Sequence, residues 1–414
     1  YYLMLPITND AVIFGILLSI LAVIFHTSGS KNKKWVTFYK FVPSLLLCYF
    51  VPGIVNSIGI ISVEESNLYY VASRYLLPTS LVLFTIGVDF RSILKLGPKA
   101  LTMTFTGTFG VILGGPFAII IVSIISPDII TSSGPEATWR GLSTIAGSWI
   151  GGGANQTAMK EVFQVTDSVF SAIIAIDVLT YSVWFAILLF GAGINDKLNK
   201  FLKADTSSLE HVQRKLENTT STEFSLSNTN DMIKLLALGF GVTAIAHFLA
   251  DIIAPFFQQN YPELSRFSLT SDFFWMVIIA TTGGLLLSFT RYRKLEEKGA
   301  SKVGSLFLYI LIATIGMKMD IFGFFQNFDL LLITSIWITF HATLLIFVGR
   351  LIKAPFFFIA VGSQANIGGA ASAPIVAAAI HPSLATVGVL LAVVGYAAGT
   401  YGAWLCAILM SLVS

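Results

Sequence analysis

Ten apolar stretches follow one another along the chain, near residues 7–27, 38–60, 69–89, 100–126, 168–192, 232–256, 272–290, 301–318, 329–350 and 384–413. A helix of about 20 apolar residues crosses the hydrocarbon core of a bilayer, so each stretch predicts a crossing. Two further stretches, 137–164 and 354–381, are apolar at their ends but broken at their centres. There the chain reads "GSWIGGGANQTAMKE" from 147 and "GSQANIGGAASAP" from 362. Glycines divide each into two arms of about 10–12 residues, the length of a re-entrant piece. The pattern predicts an all-α polytopic membrane protein with no separate soluble domain.

Composition agrees with this class. Of the 414 residues 55% are hydrophobic and 11% charged, where soluble domains average about 25% charged. No basic residue precedes the first apolar run and "KNKK" follows it at 31–34, so it reads as a true first helix rather than a cleavable signal. Cys48 and Cys406 fall in apolar segments and read as small buried residues. No HExxH, GxSxG or pair of intramembrane carboxylates points to an enzyme, and nothing points to nucleic acid.

Charge chooses the topology. If both broken stretches turn back, loops 28–40, 91–99, 194–234, 291–302 and 350–353 share one side and hold 20 of the 25 Lys and Arg. If each broken stretch crossed instead, 13 of those charges would move to the other side. Cytoplasmic loops are the ones enriched in Lys and Arg, which favours ten crossings plus two hairpins, with both ends of the sequence outside. Under that topology "TIGVDFRSILKLGPKAL" from 85 matches "TIGMKMDIFGFFQNFDL" from 314, and "YSVWFAIL" from 181 matches "YGAWLCAIL" from 401, in the same order. The expected architecture is therefore two inverted repeats of five transmembrane helices plus one re-entrant hairpin or broken helix each. They cover 1–193 and 232–414, joined by a cytoplasmic linker, 194–231, with amphipathic spacing at 206–217. Inverted repeats with broken elements at matching positions are the sequence signature of secondary transporters.

Non-helical backbone at membrane depth needs protein or a wet cavity around it, so the two tips should meet at a polar site. The candidate substrate-binding residues are Gly152, Gly153, Asn155, Gln156 and Thr157 in the first stretch, with Ser363, Gln364, Asn366, Gly368, Gly369 and Ser372 in the second. Asn155 and Asn366 are expected to share one ligand. The arms that follow the tips begin with unpaired N–H groups, which suit an anionic group. Asp177 is the one acid near the middle of a crossing, where insertion costs about 2.5–3.5 kcal/mol. It is the candidate for ion coupling, with Thr180 and Tyr181 to orient it, and with Ser148, Asn155 and Asn366 supplying oxygens. Sodium or a proton is the coupling ion at these residues, and no other cofactor is expected. Plainer readings stand beside these: close helix packing for the glycines and a protonated structural role for Asp177. His247 and Asp251 read as a pair, His341 as buried structure, and Lys160 with Glu161 as a solvated ion pair.

In length, two-hairpin layout and the two tip motifs, the chain resembles the YjcL-like family of bacterial membrane proteins. More distantly it resembles glutamate:sodium symporters and 2-hydroxycarboxylate transporters. The resemblance implies the cation/proton antiporter and anion transporter superfamily, with a scaffold that commonly dimerises and a mobile core holding the broken elements. It places ions and substrate at 147–157 and 362–372, and likens Asp177 to the acid after the first broken element in antiporters. Those antiporters often pair that acid with Asn or Asp, whereas this chain has "IDV", which counts against proton antiport. The expectation is a cation-coupled symporter of a small anionic or zwitterionic solute, such as a carboxylate, amino acid or short peptide. It would work by an elevator-type mechanism, as a homodimer in the inner membrane. Sodium/proton antiport is the alternative, and a channel comes third.

Overall fold

The computed structural model describes residues 6–64, 66–207, 209, 228–318 and 329–414. Apart from a bridge between Ile7 and Ile61, every regular element among them is helical. The first half holds α1 (Asp10–Ser28), α2 (Lys33–Phe41), α3 (Ser44–Ser57), α4 (Leu68–Val71), α5 (Leu77–Ile86), α6 (Phe90–Leu94), α7 (Pro98–Ile125), α8 (Thr138–Val162), α9 (Asp167–Gly193) and α10 (Asn195–Leu202). The second holds α11 (Thr229–Asn260), α12 (Asp272–Ser288), α13 (Ala300–Gly316), α14 (Leu330–Leu351), α15 (Phe356–Ile367), α16 (Gly369–Ile380) and α17 (Ala385–Val413). Among the described residues six helices are long and apolar enough to cross a membrane, or up to eight if each bent pair is one span. The chain is a multi-pass, all-α membrane protein.

Polar caps set several helix starts: the side chains of Asn9, Thr166, Asn228 and Ser271 accept N–H bonds from the first turns of α1, α9, α11 and α12. The crossing expected at 38–60 is shorter, because α2 and α3 meet at 88°. Pro43 lies at that corner, where its ring disfavours helical backbone in the residue before it. A second proline reshapes the third span. Pro78 offers no N–H to the carbonyl of Arg74 four residues earlier, and the ladder widens into a π turn at Ala72–Leu76 that joins α4 to α5. The released carbonyl accepts from His247 Nε2 at 2.8 Å. His247 is therefore not the partner of Asp251, which lies exposed.

Contacts at the helix ends sort the loops into two faces. On the basic face Lys99 Nζ meets Asp205 at 2.8 Å, Arg293 meets Asp89 at 2.7 Å, and Arg350 lies over Phe201. On the opposite face Asp10 accepts from Ser66 and from the Asn67 amide, Arg74 meets Glu161, and Lys318 lies over Tyr69. The span from Leu68 through the π turn to Ile86, and α13, also join these faces.

Both broken stretches turn back. In a continuous helix residues 140 and 163 would stand about 35 Å apart at 1.5 Å per residue. Instead Arg140 Nη1 donates to the carbonyl of Phe163, and the rings of Trp139 and Phe163 meet at 5.5 Å. Hairpin 1 (α8) thus returns to the opposite face. In hairpin 2 (α15 and α16), Gln364 Nε2 donates to Ser372 Oγ at 2.7 Å across the break. Phe356 and Ile380, at its two ends, pack against one apolar cluster with Leu384 and Val387. The linker stretch 206–217 and the matching string from 314 fall largely outside the described residues.

Packing divides the helices into two groups. One comprises α7, α8, α9, α14, α15, α16 and α17; the other comprises α1, α3, α5, α11, α12 and α13. Lys160 and Glu161 sit where the groups meet. They are not a solvated pair, with side chains 6% and 12% exposed. Glu161 accepts from Tyr69 and, at 2.9 Å, from Arg74, while Lys160 reaches Asp167 at 2.9 Å. They are buried because hairpin 1 ends against Tyr69 and Arg74 of the other group.

Candidate functional site: two hairpin tips on one helix

The backbone reverses at one glycine in each hairpin. Gly152 has φ 75° and ψ −172°, and Gly369 has φ 60°. The first of these combinations is open in practice to glycine alone. Both hinges face Tyr396 of α17: a Cβ on Gly152 would lie 3.7 Å from its ring, and one on Gly369 would lie 3.9 Å from its hydroxyl. The arms that lead into the tips end in carbonyls, and these converge as well. A Cβ on Gly395 would lie 2.5 Å from the carbonyl oxygen of Ile150 and 3.1 Å from that of Ala365. The tips therefore meet across Gly395 and Tyr396, with Gly152, Gly153, Gly368 and Ala370 only partly buried there. Tyr396 stacks on Phe84 of α5 at 4.8 Å and faces the Ala370 amide, at the start of α16.

One stripe of α9 reads both hairpins. Asp177 is buried, and both its oxygens are taken by hairpin 1. Trp149 Nε1 donates to Oδ1 at 2.6 Å, Gln156 Nε2 donates to Oδ2 at 2.9 Å, and the Ser148 hydroxyl also faces it. Because Trp149 precedes Gly152 and Gln156 follows it, the carboxylate ties the two arms together. One turn along, the Tyr181 hydroxyl faces Gln364 and Ser372 of hairpin 2. A further turn along, Trp184 Nε1 donates to Ser363 Oγ at 2.9 Å, and His341 Nε2 of α14 lies 2.8 Å from the same oxygen. Residues 177, 181 and 184 share a helix face because neighbours on a helix surface recur every three to four positions.

The amides expected to share a ligand bond different helices. Asn155 Oδ1 accepts from Thr400 of α17 at 2.6 Å, and its Nδ2 donates to the Gly151 carbonyl at 3.0 Å. Asn366 Oδ1 accepts from Thr108 of α7 at 2.8 Å, while its Nδ2 donates to the carbonyls of Thr104 and Gly362. Both are fully buried with their bonds made, so each fastens a hairpin to a neighbour rather than presenting a polar group to the gap. Thr157 bonds back to the Gly153 carbonyl. Thr180 does not orient Asp177. Its hydroxyl pairs with Thr334 of α14 at 2.9 Å, since the side chain three positions on points to a different neighbour. Among the described residues no three His, Cys, Asp or Glu cluster as metal ligands. A cation at the tips would be held by backbone and hydroxyl oxygens, as suits a hard ion.

Sequence reasoning missed Gly395, Tyr396, Thr400, Trp149, Trp184 and the part played by His341. Part of the signal was present: Gly395 and Gly399 stand four apart in an apolar helix, the spacing that lets backbones approach closely. Here Gly399 meets the Gly151 Cα, and a Cβ on it would lie 2.6 Å from that atom.

The chain matches, over residues 15–413, the family described as "Protein of unknown function (DUF819)". It belongs to that family. Among its relatives is "Uncharacterized membrane protein YjcL" of Bacillus subtilis (strain 168), 22% identical over 360 residues that cover 85% of this chain and 87% of the relative. The YjcL-like resemblance carried by the tip motifs thus extends over most of the DUF819 chain.

Proposed function

We propose that this DUF819 protein is a secondary active transporter that couples a cation to a small anionic or zwitterionic solute, such as a carboxylate, amino acid or short peptide. The observation that carries the reading is the convergence of two re-entrant tips on Gly395 and Tyr396. A polar break at membrane depth has a use only where it meets a ligand or another polar surface. Opposed hairpins at such a place, in halves of inverted order, are how secondary transporters build a central site. The two packed groups correspond to a scaffold and an elevator-type moving core, dimeric through the scaffold, in the inner membrane. Arg74, Tyr69 and Glu161 link them at the face opposite the basic loops. Exchange of sodium for protons is the second reading, favoured by Asp177, a buried carboxylate joined to both arms of one hairpin.

The test uses proteoliposomes offered a mixed pool of carboxylates, amino acids and short peptides under imposed sodium or proton gradients. Gradient-driven uptake is expected for the wild type and is expected to vanish in Asp177→Asn while the variant still inserts and folds. Cation exchange without any organic solute would select the antiport reading, and undiminished coupling in Asp177→Asn would remove that residue from the mechanism.

A further inference from the structure

Two cavities open side by side on the face opposite the basic loops, sharing Gln164 and Ser271, and they treat charge in opposite ways. In the first, of about 390 Å³, Arg74 and Lys160 face Glu161 and Asp167, and both cations are paired. The second is larger, about 550 Å³, and lies between the two helix groups. Hairpin 1 supplies Trp139, Arg140 and Phe163; the α11–α12 connection supplies Ser268 and Ser271; α17 supplies Ser411. Arg140 is the one charged side chain among its described lining residues.

Among the described residues no carboxylate pairs with Arg140. One guanidinium nitrogen, Nη1, donates to the carbonyl of Phe163. The Nε atom is buried and has no acceptor. The guanidinium plane lies over the Trp139 ring, 5.0 Å from its centre. Held by stacking and one backbone bond, the guanidinium has no carboxylate partner among the described residues, and with Nε closed off from the cavity its terminal nitrogens are the ones left to meet a ligand. A carboxylate oxygen accepts a short, charge-assisted bond from such a nitrogen. The serine hydroxyls around it can donate further bonds to the same anion or to water that accompanies it. The volume falls in the range of small-molecule sites.

We infer that this cavity is a binding site for a small carboxylate anion, held by Arg140 at the outer end of hairpin 1. It is separate from the tips, and binding there does not depend on transport through them.

The experiment measures modification of Arg140 by phenylglyoxal in the full-length protein in detergent, read by peptide mass spectrometry. Malonate is the probe, malonamide its uncharged isostere, and sodium chloride at equal ionic strength the control for screening. Malonate at about ten times its dissociation constant should slow modification about tenfold, and the two controls should not. Equal protection by malonamide would mean a steric effect, and equal protection by chloride would mean screening; either result, or no protection, overturns the assignment. Malonate should also raise the thermal midpoint of the wild type and leave that of Arg140→Gln unchanged. If Arg140→Gln does not fold, Arg140→Lys replaces it; the lysine keeps the charge but loses the planar donor stacked on Trp139, so the shift should shrink, and an undiminished shift would overturn the proposal.

Discussion

Hairpin 1 is tied across its tip by the Asp177 carboxylate, whereas hairpin 2 is tied by the neutral pair Gln364 and Ser372. The backbone plan is shared, with a glycine hinge in each and both hinges against Tyr396. The fastening to neighbours is shared too, with one buried Asn in each bonding a Thr on a different helix. The tie across the tip differs. A charged tie changes strength when the carboxylate gains a proton or meets a cation, and a neutral one does not. Under the proposed transport reading, hairpin 1 is therefore the element that would respond to a coupling ion, while hairpin 2 would hold one shape.

Gly395 is the place to break both hairpins together. In Gly395→Leu the new side chain has nowhere to go between the carbonyls of Ile150 and Ala365. Loss of gradient-driven uptake is expected, along with destabilisation at or above the roughly 1–3 kcal/mol of overpacked cores. Unchanged uptake and an unchanged thermal midpoint would show that the tips do not need to meet.

A smaller effect separates the two fastenings. Asn155→Ala and Asn366→Ala should each destabilise by about 1–3 kcal/mol, since each leaves a buried Thr hydroxyl or carbonyl unpaired. In the double variant the losses should add within about 0.3–0.5 kcal/mol, because the two share no partner. Denaturant titration in micelles measures all four proteins. Strong coupling would restore the idea, natural from the sequence, that both amides touch one ligand.

The smallest effect belongs to the base of hairpin 2. The Lys353 carbonyl there accepts from Lys99 Nζ and from the Asp205 amide. Hydrogen bonds from Lys99 and Ser207 hold the Asp205 carboxyl down at about 2. A depressed acid stabilises the fold above its unfolded value, about 3.9, and that contribution fades as pH falls toward about 2. In Lys99→Ala the Asp205 carboxyl carbon, followed by NMR, should titrate closer to the ordinary value. At the base of hairpin 1 Arg140 meets a carbonyl instead, and the Lys–Asp contact there is made by Lys160 with Asp167.

The multi-pass, all-α class and the turning back of both broken stretches were legible because they follow from two strong physical preferences, apolar length and the sidedness of Lys and Arg. Asp177 was legible because an acid inside a crossing is rare. Its partners were not. Trp149 looks like any apolar aromatic until the fold turns its N–H toward a carboxylate, and Thr180 sits at a plausible spacing yet faces α14. Gly395 and Tyr396 escaped notice because α17 reads as one long apolar helix, and only the approach of two distant backbones gives those positions meaning. The ion pair at Lys160 and Glu161 was misjudged for the same reason: sequence distance to a loop says nothing about what covers it.

The bond from Thr400 to Asn155 spans 245 residues of chain, and it bears on how the protein is made. Hairpin 1 packs most extensively on α17, which emerges from the ribosome long after it. At synthesis rates of about 5–20 residues per second, the hairpin waits roughly 10–50 s for that partner. During the wait its tip has peptide groups that lipid cannot satisfy, so it has to remain shallow, near the headgroups or in the shelter of an insertase. Docking at depth becomes a late, post-insertional step, completed by the last described helix and vulnerable to anything that delays it.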